Sequence, residues 1–162
     1  MTTKGHNEFE ANMLAKIEEH GWFCMSVFDP EGKKPEFSYS IGFSKTLDAP
    51  EFIVMGLNNE LRHSMMWEVF HQIKDGAVPA EEMRWSDLLE GHECASKETT
   101  HPQLFTEYAT SADWFWKEQG RTGHPQVFRL VWPGAVNGLF PWDEGCSDDV
   151  IDDQSALWLP PV

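Results

Sequence analysis

Two stretches of the chain place apolar residues at the spacing of an amphipathic helix. Apolar side chains recur every four positions from Phe9 to Ile17, and Gly21 follows as a helix stop. A second apolar stripe covers residues 61–73 and is preceded by Asn58, a residue type that caps helix N-termini. Both stripes predict helices that pack one face against a core.

Between and after these helices, short apolar runs bounded by turn residues are typical of strands. A third helix is predicted over residues 107–119, one helical turn over 85–89 and a short returning strand over 139–142. The stronger strand predictions rest on β-branched and aromatic residues, which are enriched in strands. These predicted strands cover residues 22–28, 37–43, 51–57, 92–97 and 126–132.

This order of elements predicts an α+β fold. Short connections favour a mostly antiparallel sheet of about five to six strands, with about three helices covering one face. Residues 1–162 fit one domain by length, and residues 143–162 are interpreted as an acidic C-terminal loop or tail. A split-barrel-like arrangement is the alternative.

The charge of the chain narrows its choice of partners. With 27 acidic and 12 basic residues, the net charge is -15. Such a surface repels phosphates, so direct binding of nucleic acid or an anionic membrane is disfavoured. Solubility alone explains the charge, and a basic protein partner is the functional alternative. The oligomeric state is not readable from the sequence.

Cysteine usage and the N-terminal residues indicate a cytoplasmic protein. Cys24, Cys94 and Cys146 are odd in number and far apart, which fits a reducing compartment better than a disulfide framework. The first ten residues lack an apolar signal core, and no apolar run approaches membrane-spanning length.

The sequence contains no settled catalytic motif. Neither a serine-nucleophile elbow nor a glycine-rich phosphate loop occurs. Glu60 and His63, and likewise Glu68 and His71, have the Glu-x-x-His spacing of di-iron helices, but a solvated helix face is the better interpretation. The protein therefore need not be an enzyme, and no metal is predicted.

An ordered set of aromatic and glycine motifs resembles a known family. The motifs are Gly21-Trp22, the FSYSIGF run over residues 37–43, Pro50-Glu51 with Gly56-Leu57, and the LVWP and GLFPW runs that begin at Leu130 and Gly138. Together they resemble the uncharacterised bacterial family catalogued as domain of unknown function 4262. The resemblance covers most of the chain and implies a fold unit without an assigned reaction.

The same motifs supply the candidate site residues. A charge at the start of a buried strand is costly unless paired, so Glu51 should meet Arg62, Arg129 or a backbone amide. The aromatic residues either close the core or line a binding surface, since Trp and Tyr dominate binding hot spots. The ligand- or partner-binding candidates are Tyr39, Ser40, Gly42, Glu51, Trp132 and Trp142.

These observations predict a ligand- or protein-binding module, with an inhibitor or immunity-type protein as one version. The alternative is a flavin-dependent oxidoreductase, because residues 40–54 also resemble the split-barrel flavin reductases. That resemblance implies FMN, whose phosphate the backbone and hydroxyls of residues 40–44 would hold. Only Lys45 supplies a cation there, and Glu51 adds negative charge, so no cofactor is predicted.

Overall fold

A computed structural model of the chain describes residues 7–33 and 36–157. The helices are α1 Glu8–His20, α2 Phe43–Thr46, α3 Asn59–Lys74, α4 Thr110–Glu118 and α5 Asp148–Asp153, with a π-helical turn at Leu104–Tyr108 before α4. The strands are β1 Phe23–Val27, β2 Phe37–Ile41, β3 Glu51–Met55, β4 Arg84–Leu89, β5 His92–Glu98 and β6 Val127–Val131.

The six strands form one sheet in the order β1-β2-β3-β6-β5-β4. Consecutive strands pair antiparallel in two meanders, β1-β2-β3 and β4-β5-β6. The meanders meet at a parallel seam between β3 and β6, where Glu51 lies opposite Val127. The α+β fold and the mostly antiparallel sheet are confirmed. The sheet is open, so the split-barrel alternative does not describe it.

Alternating side chains of the sheet build a core on each face. Phe52 and Val54 belong to the cluster that includes the apolar face of α3, while Ile53 and Met55 belong to the cluster that includes α1 and α4. This alternation follows from the two-residue period of a strand. The expectation that helices cover only one face is therefore wrong, because α1 and α4 pack opposite α3.

Helix termini follow the sequence signals. The Asn7 side chain accepts the N–H of Glu10, whose side chain accepts the N–H of Asn7, so both halves of a capping box form. Asn58 caps α3 through the N–H of Leu61. Gly21 ends α1 in the left-handed conformation that glycine adopts without strain.

Three short predictions are wrong, each for a local reason. Residues 85–89 form strand β4 rather than a helical turn, because pairing with β5 buries Trp85. Residues 139–142 turn back without strand pairing, and Pro141 lacks the N–H that a ladder needs. The acidic segment contains helix α5, where Asp148 and Asp149 in the first turn suit the helix dipole.

Candidate functional site

The most elaborate polar arrangement around the sequence motifs surrounds the carboxylate of Glu51, which is 1% exposed. Its Oε1 accepts the Ser40 hydroxyl at 2.8 Å and the Phe43 N–H at 3.1 Å. Its Oε2 accepts the N–H groups of Gly42 at 3.0 Å and Ser44 at 3.2 Å. We call this arrangement of five residues the Glu51 nest.

The geometry of the nest begins at Gly42, where β2 ends and α2 starts. Gly42 has a φ of 113°, which turns the chain so that three successive N–H groups point at one place. Burial raises the pKa of the Glu51 carboxyl, and the four hydrogen bonds favour its charged form. The nest is therefore an anion site that the protein fills with its own carboxylate.

Of the three partners predicted for Glu51, the backbone amides are confirmed. Arg62 is buried and instead donates to the Ser38 hydroxyl at 2.8 Å and to the carbonyls of Gly56 and Leu57. Arg129 donates to the carbonyls of Gln154 and Ala156. Both guanidinium groups thus hold chain segments in place and do not neutralise Glu51.

The three aromatic candidates lie in separate surroundings. Tyr39 is buried in the core beside α1 and α4, and its hydroxyl accepts the N–H of Ser111. Trp132 is 7% exposed in the opposite core and donates its Nε1–H to the carbonyl of Met55 at 2.7 Å. Trp142 is 39% exposed and stacks on Phe140 with 4.8 Å between ring centroids.

The structure therefore brings Ser40, Gly42 and Glu51 together and separates them from the aromatic candidates. Tyr39 and Trp132 face opposite sides of the sheet, so the two sequence tracts do not form one aromatic surface. The Lys97 ammonium lies 4.9 Å from the centroid of the Trp142 ring, which places that ring in a surface contact.

A groove of about 540 Å³ lies at the end of the sheet where β5 ends and β6 begins. We call it the histidine groove. Its walls come from the segment after β5 and from the segment before β6, and they include Thr99, His101, Pro102, Phe105, His124 and Gln126. Thr99 is 6% exposed, and within the described part of the chain its hydroxyl has no hydrogen-bond partner.

An acidic side chain orients His124. Its Nδ1 lies 2.6 Å from Oδ1 of Asp113, and the Lys117 ammonium lies 2.7 Å from the other carboxylate oxygen. Burial opposes the ionisation of Asp113, but the hydrogen bonds from Lys117 and His124 outweigh it and lower the pKa of this carboxyl. Phe105 stacks on the imidazole at 4.7 Å, which fixes the ring plane.

The two imidazoles of the groove have opposite hydrogen-bonding character. An ionised carboxylate only accepts, so Nδ1 of His124 carries the proton and Nε2 of the neutral ring is an acceptor. Nδ1 of His101 accepts the N–H of Gln103 at 3.1 Å, so Nε2 of that ring carries the proton and donates. With His124 in its neutral form, the two rings thus give the groove one acceptor and one donor.

The Glu51 nest is connected to the histidine groove. The hydroxyl of Ser44 accepts the side chain of Gln119 at 3.3 Å, and its carbonyl accepts Arg121 at 3.4 Å. The N–H of Glu51 donates to the carbonyl of Gln126 at 3.0 Å. These contacts hold both ends of the segment that carries His124, so the nest is a positioning element for the groove.

Comparison with known proteins assigns the chain to a family. The family model described as domain of unknown function DUF4262 matches residues 16–147. The chain belongs to this family. The matched region of this DUF4262 protein contains both the Glu51 nest and the histidine groove. No curated protein and no solved structure matches the chain.

Sequence reasoning missed the histidine groove of the DUF4262 protein, although one signal was present. The tripeptide His-Pro-Gln occurs twice, beginning at His101 and at His124. A proline disfavours helical conformations for the residue before it, so the repeat predicts an extended backbone at both histidines. The repeat shows that the two segments are alike, but only the fold shows that they form one groove.

The described residues of this DUF4262 protein contain neither a candidate metal cluster nor a membrane-spanning helix. Within residues 7–33 and 36–157, no group of three or more His, Cys, Asp or Glu side chains could hold a metal ion. His63 and His71 are exposed on α3, as expected for a solvated face. The same part of the chain has no helix long and apolar enough to cross a bilayer.

Proposed function

We propose that this DUF4262 protein is a ligand-binding module and that its small-molecule ligand occupies the histidine groove. One observation carries the proposal, which is the pair of imidazoles on the walls of one groove, where Nε2 of the neutral His124 ring accepts a hydrogen bond and Nε2 of His101 donates one. Ligand sites commonly combine apolar walls with a few placed polar groups, and here Phe105, Pro102 and Pro125 supply the apolar surface.

The chemistry of the groove selects a neutral polar ligand. A primary amide presents a donor and an acceptor side by side, which matches Nε2 of His124 and the Nε2–H of His101. An anion would suffer repulsion from a protein with a net charge of -15. Glu98 also lines the groove and adds negative charge at the site itself.

Benzamide and benzoate form a matched pair of probes for this function. We expect benzamide to bind with a Kd on the order of millimolar, as is usual for a fragment, and to shift the ring nitrogen signals of His101 and His124 in NMR spectra. His124→Ala should abolish the effect, whereas His20→Ala, which changes a distant surface imidazole, should leave it unchanged. The proposal would be contradicted if benzoate bound as tightly as benzamide, or if benzamide left the ring nitrogen signals of both histidines unshifted.

The acidic surface supports a second role, in which the protein binds and neutralises a basic partner as inhibitor and immunity-type proteins do. The observation that favours this role is the net charge of -15, which raises the encounter rate with cationic proteins at low salt. The same charge argues against direct binding to nucleic acid.

We propose the cytoplasm as the compartment of this protein. Its three cysteines are unpaired with one another, which is the usual state in a reducing compartment. Burial raises the pKa of Cys24 to about 11 and that of Cys94 to about 12, so both thiols are held protonated and unreactive.

FMN is the less favoured alternative ligand. The N–H groups of Gly42, Phe43 and Ser44, which resemble a flavin phosphate site in sequence, already bind Glu51. A phosphate would have to displace this carboxylate. We therefore expect purified protein to be colourless and FMN to leave its melting temperature unchanged. A bound ligand at about 100 times its Kd stabilises by about 2.7 kcal/mol, so a clear upward shift would restore the flavin alternative.

A further inference from the structure

The two edges of the sheet are built differently. Edge strand β4 carries Arg84 and Asp87, its register with β5 shifts between Trp85 and Leu89, and Asp87 has a φ of 67°. Charges and bulges of this kind prevent an edge from pairing with another strand. The β4 edge is therefore protected.

The opposite edge lacks these protections. Strand β1 reads Phe-Cys-Met-Ser-Val, without charge or proline, and its register with β2 is continuous over all five residues. Each of the five keeps part of its surface exposed. Among the described residues β2 is the only strand beside β1, so the other side of β1 presents a regular row of backbone donors and acceptors.

Grooves lie near both ends of β1, on opposite faces of the sheet. One groove of about 290 Å³, on the α3 face, is lined by Cys24 and Trp67 and by the side chains of Lys16 and His20. The other, of about 410 Å³, is lined by Val27, by Phe28, which is 52% exposed, and by the acidic residues Asp29 and Glu107. A strand added to a sheet edge obtains affinity from the backbone and specificity from pockets for its side chains.

We propose that β1 accepts an extended basic segment of another protein as a seventh strand of the sheet. The segment would alternate apolar residues, which enter the groove beside Trp67, with lysine or arginine on the opposite face, where Asp29 and Glu107 line the other groove. A second copy of this chain is the poorer occupant, because it would bring two charges of -15 together. This proposal deepens the role with a basic partner and is independent of the histidine groove.

The test uses the heptapeptide acetyl-KVKFKVK-amide and the full-length protein. We expect the peptide to bind, to shift the backbone amide signals of β1 in NMR spectra, and to slow hydrogen exchange at the β1 amides that face away from β2. The same peptide with proline in place of phenylalanine should bind at least about tenfold more weakly, because proline blocks strand pairing. A peptide with glutamate in place of lysine should not bind.

Two charge reversals locate the binding surface. Glu107→Lys should weaken peptide binding about threefold or more at low salt, because it reverses a charge in the groove that Val27 and Phe28 line. Glu90→Lys makes the same change in the turn between β4 and β5 and should leave the affinity within about twofold of the unchanged protein. Phe28→Ser, which removes an exposed groove wall, should also weaken binding.

The outcomes separate this proposal from the broader role. If the peptide binds without protecting β1, the basic partner role stands and the strand proposal is wrong. If no peptide binds, both are wrong. Outward-facing β1 amides that are already protected in the free monomer would show that the chain covers its own edge. A dimer joined through β1 would make a second copy the occupant, and either result would overturn the proposal.

Discussion

The carboxylate of Glu51 does for this fold what a bound anion does at many helix N-termini. It satisfies three N–H groups of the turn into α2 and one serine hydroxyl, and it starts the central strand β3. The Ser40 hydroxyl also accepts the N–H of Phe52, so it connects the nest to β3 a second time. A single side chain thus determines how β2, α2 and β3 meet.

Replacing Glu51 with glutamine should expose this dependence. The amide nitrogen of Glu51→Gln would face N–H groups that need an acceptor, and unpaired buried donors cost about 1–3 kcal/mol each. We expect a fall of that size or more in the free energy of unfolding, measured by urea denaturation. Glu90→Gln on the exposed turn is the control and should change stability little. An unchanged midpoint for Glu51→Gln would show that the nest tolerates a neutral side chain.

Gly42 should be intolerant of any side chain. A Cβ there would lie 3.0 Å from the carbonyl oxygen of Gly21 and 3.1 Å from Cα of Trp22. Gly76 has nearly the same φ, 119° against 113°, but open space around it. Gly76→Ala therefore measures the backbone strain alone, and Gly42→Ala should cost at least about 1 kcal/mol more. Gly42→Val should cost more stability still. Equal losses of stability for the alanine variants of Gly42 and Gly76 would show that the close contacts of Gly42 have no energetic effect.

For single residues, the sequence predicts those features that depend on near neighbours in the chain. Asn7, Asn58 and Gly21 act within a few residues of themselves, so their capping roles follow from the sequence. The need of Glu51 for a partner was also predictable from its place at a buried strand. Which of three partners it meets was not, because the choice depends on the turn that Gly42 makes after a different strand.

The segment after β6 begins with a tryptophan in the core, Trp132, and ends with one at the surface, Trp142. Trp132 contacts the core beside α3 and bonds to Met55, whereas Trp142 stacks on Phe140 at the surface. Trp132 is 7% exposed and Trp142 is 39% exposed, so Trp132 closes the core and Trp142 does not. The predicted strand pairing between them is wrong, since the segment is a turn.

Truncating these two residues should give unequal losses of stability. Trp132→Ala should lower the free energy of unfolding by about 3–5 kcal/mol, because it leaves a large cavity and an unpaired carbonyl. Trp142→Ala removes a stacking and a cation contact at the surface and should cost about 1 kcal/mol. Thermal denaturation of both variants provides the comparison. A Trp142 variant as unstable as the Trp132 variant would place Trp142 among the core residues.

Helix α4 should stabilise the fold in a pH-dependent way through Asp113. The folded state lowers the pKa of this carboxyl below its ordinary value of 3.8, so its contribution is complete above that pH and is lost as the pH falls through the folded value. We expect the stability difference between the unchanged protein and Asp113→Asn to shrink as the pH of urea titrations falls below 3.8. A constant difference across the acid range would contradict this assignment.

Elements with one apolar face were predictable, and irregular ones were not. The stripes of α1 and α3 repeat at helical spacing, β2 alternates serine with large apolar residues, and β3 and β6 have one charged residue each in otherwise apolar runs. Strand β4 alternates imperfectly because its register shifts, so its sequence does not show a clean strand period. The histidine groove needs β5 and β6 to be neighbours, which is long-range information that no single stretch of residues contains.

For the molecule as a whole, the net charge of -15 creates self-repulsion in the compact state. At 0.1 M ionic strength, salt largely screens the repulsion between exposed charges that lie more than about 10 Å apart. We expect the melting temperature to rise as sodium chloride increases from about 0.02 M to 0.3 M. This range lies below the concentrations at which exclusion of salt from the protein surface dominates the effect. A melting temperature that falls over this range would mean that surface ion pairs outweigh the repulsion.

The parallel seam between β3 and β6 has a consequence for the order in which the chain folds. The β1-β2-β3 meander and the β4-β5 pair join strands close in sequence and can form early from local contacts, whereas the chain between β5 and β6 includes the π-helical turn and α4. The seam instead joins residues 51–54 to residues 127–130 and must close a long loop. Because such closure is slow, we expect seam formation to limit the folding rate. Glu51 and Gln126 lie at that junction, so the histidine groove should be completed only in the last step of folding.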